Sequence, residues 1–188
     1  MISGRTVAEV CQDFELQEET RAYLIGEPSP QEFMDQLLQA ELYVDATRFL
    51  AYALHEREAV WWASLCVRSV PACFGDEIST ETLEAAEAWV KDPVDTKRQA
   101  ALAAGKKHTF QMPTAPAAWA AMAVGWSGET HAAPDEPVSP SSEHLTAHAV
   151  SGAIMLSATA EADRAAEMYR RFLETGVQIA QGGIKISL

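Results

Sequence analysis

The chain has 188 residues, 48% of them hydrophobic and 22% charged, and a formal net charge of −13 at pH 7. These proportions exclude a disordered chain and predict one globular domain spanning residues 1–188. The negative charge disfavours nucleic acid and anionic membranes as partners, because binding to either needs a basic surface.

The acidic side chains are concentrated at the start of the chain. Residues 1–60 contain 12 Asp or Glu, but four Arg and no Lys. This distribution predicts either a solvated surface or a docking face for a basic partner. Met1–Glu15 lacks the apolar core of a signal peptide, and the three cysteines lack CxxC spacing. Both features favour a cytoplasmic protein with reduced thiols. The uncharged runs His108–Gly128 and Leu145–Ala160 are too short or interrupted to span a membrane and are interpreted as core helices, so no membrane insertion is expected.

Helix signals begin near the N-terminus. Ser29, Pro30 and Glu32 have the spacing of a capping box, and apolar residues follow at three- and four-residue intervals. The helical pattern of Glu41–Leu54 either continues this helix or is separated from it by a break near Ala40. The helices predicted in this part are Thr6–Cys11, Glu15–Ile25, the helix that Ser29 caps, and Glu41–Leu54.

The segment Glu56–Val70 is apolar on almost its whole circumference and contains the adjacent Trp61 and Trp62. A helix with this pattern normally lies at the centre of a fold. We therefore predict that it is the hub, meaning the helix against which the others pack.

The remaining chain continues as helices that Pro and Gly separate. Residues 129–142 contain three Pro and are predicted to form a surface loop. The predicted helices are Ser79 or Thr80 to Lys91, Val94–Lys107, Thr114–Gly128, Glu143–Ala158 and Ala162–Ala180.

Together these patterns predict an all-α fold, a compact bundle of about seven to nine helices. No run alternates polar and apolar residues between hairpin turns, so strands are not expected. Trp61, Trp89 and Trp119 recur 28 and 30 residues apart in Ala-rich runs. An irregular, solenoid-like pairing of helices would produce this spacing, and so would coincidence in an Ala-rich chain.

The sequence contains no established catalytic motif. There is no HExxH, GxGxxG or Walker sequence. Gly125–Gly128 reads Gly-Trp-Ser-Gly, one residue short of a GxSxG nucleophile elbow, and we interpret Ser127 as part of a helix end with Gly128 at its C′ position. We therefore expect no enzymatic activity, no catalytic residue and no cofactor.

His144 and His148 are four residues apart in a predicted helix and are weak candidate metal ligands. The alternative is one partly buried and one exposed histidine. No third ligand is evident, so no metal site is expected.

Four residues are candidates for binding a partner: Arg57, Trp61, Trp126 and Ser127. Trp is enriched at interaction hot spots, and Trp126, beside the Pro-rich loop, is the indole most expected to be partly exposed. Arg57 precedes Trp61 by one turn, where its charge either stacks on the indole or fastens the start of the helix. Trp62, Trp89 and Trp119 are expected in the core.

Several runs carry a family resemblance. They are Phe49-Leu-Ala-Tyr-Ala-Leu-His-Glu-Arg-Glu-Ala-Val-Trp-Trp-Ala, Ala85-Ala-Glu-Ala-Trp89, Ala117-Ala-Trp-Ala-Ala, Trp126-Ser-Gly and Phe172-Leu-Glu-Thr-Gly-Val-Gln-Ile-Ala-Gln-Gly-Gly. From about residue 40 onward the chain resembles an uncharacterised bacterial helical family, a domain of unknown function associated with type VI secretion gene neighbourhoods. The resemblance implies a cytoplasmic accessory protein of a secretion locus and transfers no active-site residue.

The sequence favours a non-enzymatic helical protein of the cytoplasm that binds another protein, either a basic protein or an amphipathic helix. The partner would be a secretion component or effector. One alternative is a helical enzyme or small-ligand-binding protein with a Trp-lined pocket. Another is a structural homodimer.

Overall fold

The computed structural model describes residues 4–128 and 144–186, which fold into α-helices joined by turns, with no strand in these ranges. The all-α prediction is confirmed, and eight helices of ten or more residues, α3 to α10, form the body. The predicted loop at 129–142 lies outside the described residues. The helices are α1 (Val7–Val10), α2 (Glu18–Arg21), α3 (Pro30–Gln39), α4 (Tyr43–Ala53), α5 (Glu56–Arg68), α6 (Glu77–Lys91), α7 (Asp95–Gln111), α8 (Pro116–Gly125), α9 (Leu145–Ala158) and α10 (Ala165–Ala180). None of the described helices combines the length and the hydropathy needed to cross a bilayer.

The N-terminal capping signals are confirmed. The Ser29 hydroxyl accepts a hydrogen bond from the Glu32 N–H at 3.3 Å, and the Glu32 carboxylate accepts one from the Ser29 N–H at 2.8 Å. The chain also breaks between α3 and α4, because Glu41 is left-handed with φ of 59°. The predicted helix Glu15–Ile25 is instead α2 followed by a 3-10 turn.

The predicted start of α6 and the predicted end of α7 are wrong. Asp76, not Ser79 or Thr80, caps α6, because its carboxylate accepts the Ser79 N–H at 2.9 Å. Helix α7 continues past Lys107 to Gln111. The helix ends before Met112, whose backbone is no longer helical because the residue precedes Pro113.

Trp62 lies at the centre of the core. It has no exposed surface, and its indole N–H donates to the Phe172 carbonyl of α10 at 2.7 Å. Gly176 makes this contact possible, because a Cβ there would lie 2.6 Å from Cε2 of Trp62. The last long helix therefore packs directly on the indole of α5.

The hub role is shared by three helices. Helix α5 packs against α6, α8, α9 and α10, as predicted for a central helix. Helices α8 and α9 also each pack against four long helices. Contacts between elements far apart in sequence, such as α5 with α9, make the fold a bundle, and the solenoid-like alternative is not adopted.

We expect Trp62→Phe to lower the free energy of unfolding by about 2–3 kcal/mol, because it removes a buried hydrogen bond and leaves a void. Trp61→Phe is the matched control. Its indole N–H has no hydrogen-bond partner among the described residues, so the loss should be about 1 kcal/mol or less. Urea unfolding of both variants measures the difference. Equal losses would contradict the central role of the Trp62 hydrogen bond.

Candidate functional site

Arg57 fastens the start of α5 to the end of α6. Its Nε–H donates to the Val90 carbonyl at 2.7 Å, and a terminal N–H donates to the Lys91 carbonyl at 3.2 Å. Carbonyls at a helix C-terminus lack partners within the helix, and a cation also interacts favourably with that end of the helix dipole. The guanidinium is therefore engaged within the protein.

The turn after α8 holds two more of the sequence-predicted residues. Trp126 is half-buried, as predicted, whereas Ser127 is buried and donates its hydroxyl to the Val124 carbonyl at 2.7 Å. Gly128 has φ of 95° and lies two residues beyond the C-cap Trp126, not at the predicted C′ position. Its N–H donates to the Glu56 carboxylate at 2.8 Å, which holds this turn against the start of α5. The polar groups at this joint hold helices together.

His144 and His148 make separate contacts. His144 Nε2 lies 3.5 Å from the Asp13 carboxylate, and its ring lies 5.6 Å from that of Tyr52. His148 is exposed, and its ring meets the edge of Trp119 at 6.2 Å. The two imidazoles therefore do not converge on one point. In residues 4–128 and 144–186, no group of three or more His, Cys, Asp or Glu is placed to hold a metal ion.

The three cysteines are buried and unpaired. Burial, with the nearby carboxylates of Asp45 and Asp13, raises the pKa of the Cys11 thiol to about 12. Burial also raises the pKa of the Cys66 and Cys73 thiols. The thiolate is the reactive form, so these side chains are poor nucleophiles at neutral pH.

Helices α8 and α9 share a surface without charge. Every residue of α8 is buried except Trp119 and Met122, and the half-buried Trp126 continues the same stripe at the helix end. On α9, His148 is exposed, and Gly152 and Met155 are half-buried on the same side. Neither helix contains Asp, Glu, Lys or Arg. We call this surface the α8–α9 face and define it by Trp119, Met122, Trp126, His148, Gly152 and Met155.

The indole of Trp119 is fixed in the middle of this face. Its N–H donates to the Pro113 carbonyl at 2.9 Å. Its ring lies over Gly152, where a Cβ would come within 3.3 Å of Cε3. His148 contacts it with an interplanar angle of 63°. An aromatic side chain already held in one orientation loses little conformational freedom when a partner covers it.

Residues 33–180 match the sequence model of DUF6931, a family of unknown function. The chain belongs to this family. The match contains α4 to α10 and therefore the whole α8–α9 face, whereas α1 and α2 precede it. Membership of DUF6931 confirms the expected uncharacterised domain family. No curated protein and no solved structure matches the chain.

Sequence reasoning missed the exposure of Trp119, which it assigned to the core together with Trp62 and Trp89. The latter two are buried, whereas Trp119 is half-buried. Helix α8 has no polar residue in its sequence, so the pattern does not indicate which side faces solvent. The sequence signal that could have indicated an apolar surface here was the absence of charged residues from two successive helices, α8 and α9.

Sequence reasoning also missed a buried titratable group. His108 of α7 is 2% exposed, and its Nε2 lies 3.5 Å from the Ser79 hydroxyl of α6. Nδ1 has no hydrogen-bond partner within the described residues. Burial lowers the pKa of this imidazole, and the nearby Asp76 carboxylate opposes the shift. The neutral ring is therefore the form that fits between α6 and α7.

The His108 environment predicts a loss of stability in mild acid. Because the pKa is lower in the folded state, the unfolded chain binds the proton more readily below its ordinary value of 6.5. The stability that the buried neutral imidazole contributes is complete above pH 6.5. It declines as the pH falls from 6.5 towards the pKa of His108 in the folded state. Between pH 7.5 and 5.5 we expect the native chain to lose more stability than His108→Gln in urea unfolding.

The exposed His148 supplies the control. His148→Gln should keep the pH dependence of the native chain. The prediction fails if His108→Gln and the native chain lose the same stability over this interval.

Proposed function

We propose that this DUF6931 protein is a non-enzymatic helical protein that binds another protein through the α8–α9 face. The observation that carries the proposal is a contiguous Trp and Met surface without charge on a chain of net charge −13. The centres of protein interfaces are depleted in charged residues and enriched in Trp and Met. The face has this composition.

The composition of the face favours a helical partner. The Trp119 ring lies over Gly152 between α8 and α9, and the apolar side of an amphipathic helix can cover it. Trp119 is the rigid anchor of this contact. Met122 and Met155 provide flexible thioether chains that adapt to the shape of the partner. The proposed partner is therefore a protein with an exposed amphipathic helix.

The cytoplasm and a bacterial type VI secretion locus are the proposed setting. The resemblance described under Sequence analysis supports this setting. The matched family has no assigned function, so the match itself adds nothing to it. In this setting the protein is an accessory or adaptor, and its partner is a secretion component or an effector.

A basic partner on the acidic N-terminal surface has less support, because many carboxylates there are already engaged within the chain. Asp45 is fully buried and accepts the Gln17 N–H at 2.9 Å. Asp13 pairs with Arg5 at 2.6 Å, and Glu41 pairs with Arg170 at 2.7 Å. These carboxylates hold the N-terminal segment and α10 in place.

The alternative of a Trp-lined ligand pocket also has less support. A groove of about 620 Å³ lies between the start of α3 and the end of α10. Its apolar lining is aliphatic, and no Trp contributes to it. The indoles of the α8–α9 face instead lie on a surface that a macromolecule can cover.

The test is affinity capture from the native host with three forms of the protein. Met155→Glu places a charge in the α8–α9 face and should weaken partner recovery at least about tenfold. Gln178→Glu adds the same charge to an exposed position of α10 and should leave recovery unchanged. Mass spectrometry identifies the recovered protein, and urea unfolding confirms that both variants remain folded.

Three results would overturn the proposal. The first is recovery of the same proteins by Met155→Glu, and the second is recovery of no protein by the native chain. The third is a dimer in sedimentation that Met155→Glu dissociates, since a second copy would then cover the face.

A further inference from the structure

Helix α7 is a basic helix on an acidic protein. It contains Lys97, Arg98, Lys106 and Lys107 but a single carboxylate, Asp95. The first two cations are already paired: Lys97 with Asp92 at 2.8 Å, and Arg98 with Asp95 at 2.6 Å. The remaining positive charge lies in the second half of the helix.

Lys106 and Lys107 are exposed, and neither forms an ion pair in the described part of the chain. Both ammonium groups are therefore available to a partner. They place two adjacent positive charges on a molecule whose net charge otherwise repels acidic ligands.

An exposed aromatic side chain accompanies these lysines. Phe110 is 92% exposed, and it follows Lys106 by four residues and Lys107 by three, so the three side chains share one side of α7. Ala103 is exposed on the same side one turn earlier, where its small side chain permits close approach. Met112, 52% exposed, extends the apolar surface beyond the helix end. In the free protein the Phe110 ring faces water. A partner that buries the ring therefore gains free energy from removing its apolar surface from water.

We propose that the outward side of α7, formed by Ala103, Lys106, Lys107 and Phe110, binds an acidic segment of another polypeptide. An apolar side chain of that segment covers Phe110, and flanking carboxylates pair with the two lysines. The evidence for this partner is charge complementarity at an apolar anchor. An anionic bilayer fits less well, because the net charge of −13 opposes approach to a lipid surface.

This surface shares no residue with the α8–α9 face, so the inference goes beyond the proposed function. A variant in one surface leaves the other intact. The failure of either proposal is therefore distinguishable from the failure of the other.

The test uses the full chain and two labelled synthetic peptides that contain one Leu each and are too short to form an amphipathic helix. One peptide carries Glu on both sides of the Leu, and the other carries Gln at the same positions. Fluorescence anisotropy should show binding of the Glu peptide that weakens as salt is raised, and at least tenfold weaker binding of the Gln peptide. Binding of an acidic peptide by a chain of this net charge requires a local basic surface.

Four variants locate the site. The double substitution Lys106→Gln with Lys107→Gln, and separately Phe110→Ser, should each weaken binding of the Glu peptide at least tenfold. Lys97→Gln, which removes a paired charge from the same helix, should leave it within twofold. Met155→Glu should also leave it unchanged.

Four outcomes of the binding experiments would overturn the inference. They are no binding of the Glu peptide, equal binding of both peptides, no effect of the Lys106 and Lys107 substitutions, and binding of phosphatidylglycerol vesicles in place of the peptide. Self-association in sedimentation that Phe110→Ser abolishes would also overturn it, because the occupant would then be a second copy of the chain.

Discussion

The indole of Trp62 occupies the space between α5 and α10 that Gly176 leaves free of a side chain. Its N–H is satisfied by the Phe172 carbonyl, so a large amphipathic ring is buried without an unpaired donor. This contact fixes the distance between the two helices. The other sides of α5 then meet α6, α8 and α9, and the arrangement of the bundle depends on this one ring.

The same packing explains why the candidate site lacks charge. Helices α8 and α9 are surrounded by neighbours on most of their circumference, where a charged side chain would be costly to bury. Close approach between α7 and α8 is possible because Gly105 lies against the backbone of α8, where a Cβ would be 3.0 Å from the Met122 nitrogen. The narrow strip that remains accessible on α8 and α9 is therefore apolar. Its availability for a partner follows from the central position of the two helices.

Local signals predicted the local structure well. The Ser29 capping box was predictable because its partners lie three residues apart, and the end of α10 was predictable from Gly182, which is left-handed with φ of 73°. The exposure of Trp119 and the burial of His108 were not predictable, because each depends on which helix packs beside it. The exposed Phe110 was missed for the same reason. Sequence thus predicted helices and turns, whereas the solvent-facing side of each apolar helix was set by tertiary packing.

The hydrogen bond between Trp62 and Phe172 joins residues 110 positions apart. During synthesis α5 emerges long before the helix that covers it. Until the last helix leaves the ribosome, the indole has no protein acceptor in that position and the apolar side of α5 stays uncovered. A nascent chain in this state is vulnerable to aggregation, which makes it a natural client for chaperones that shield apolar segments. The closure of the core around Trp62 therefore waits until α10 has been synthesised.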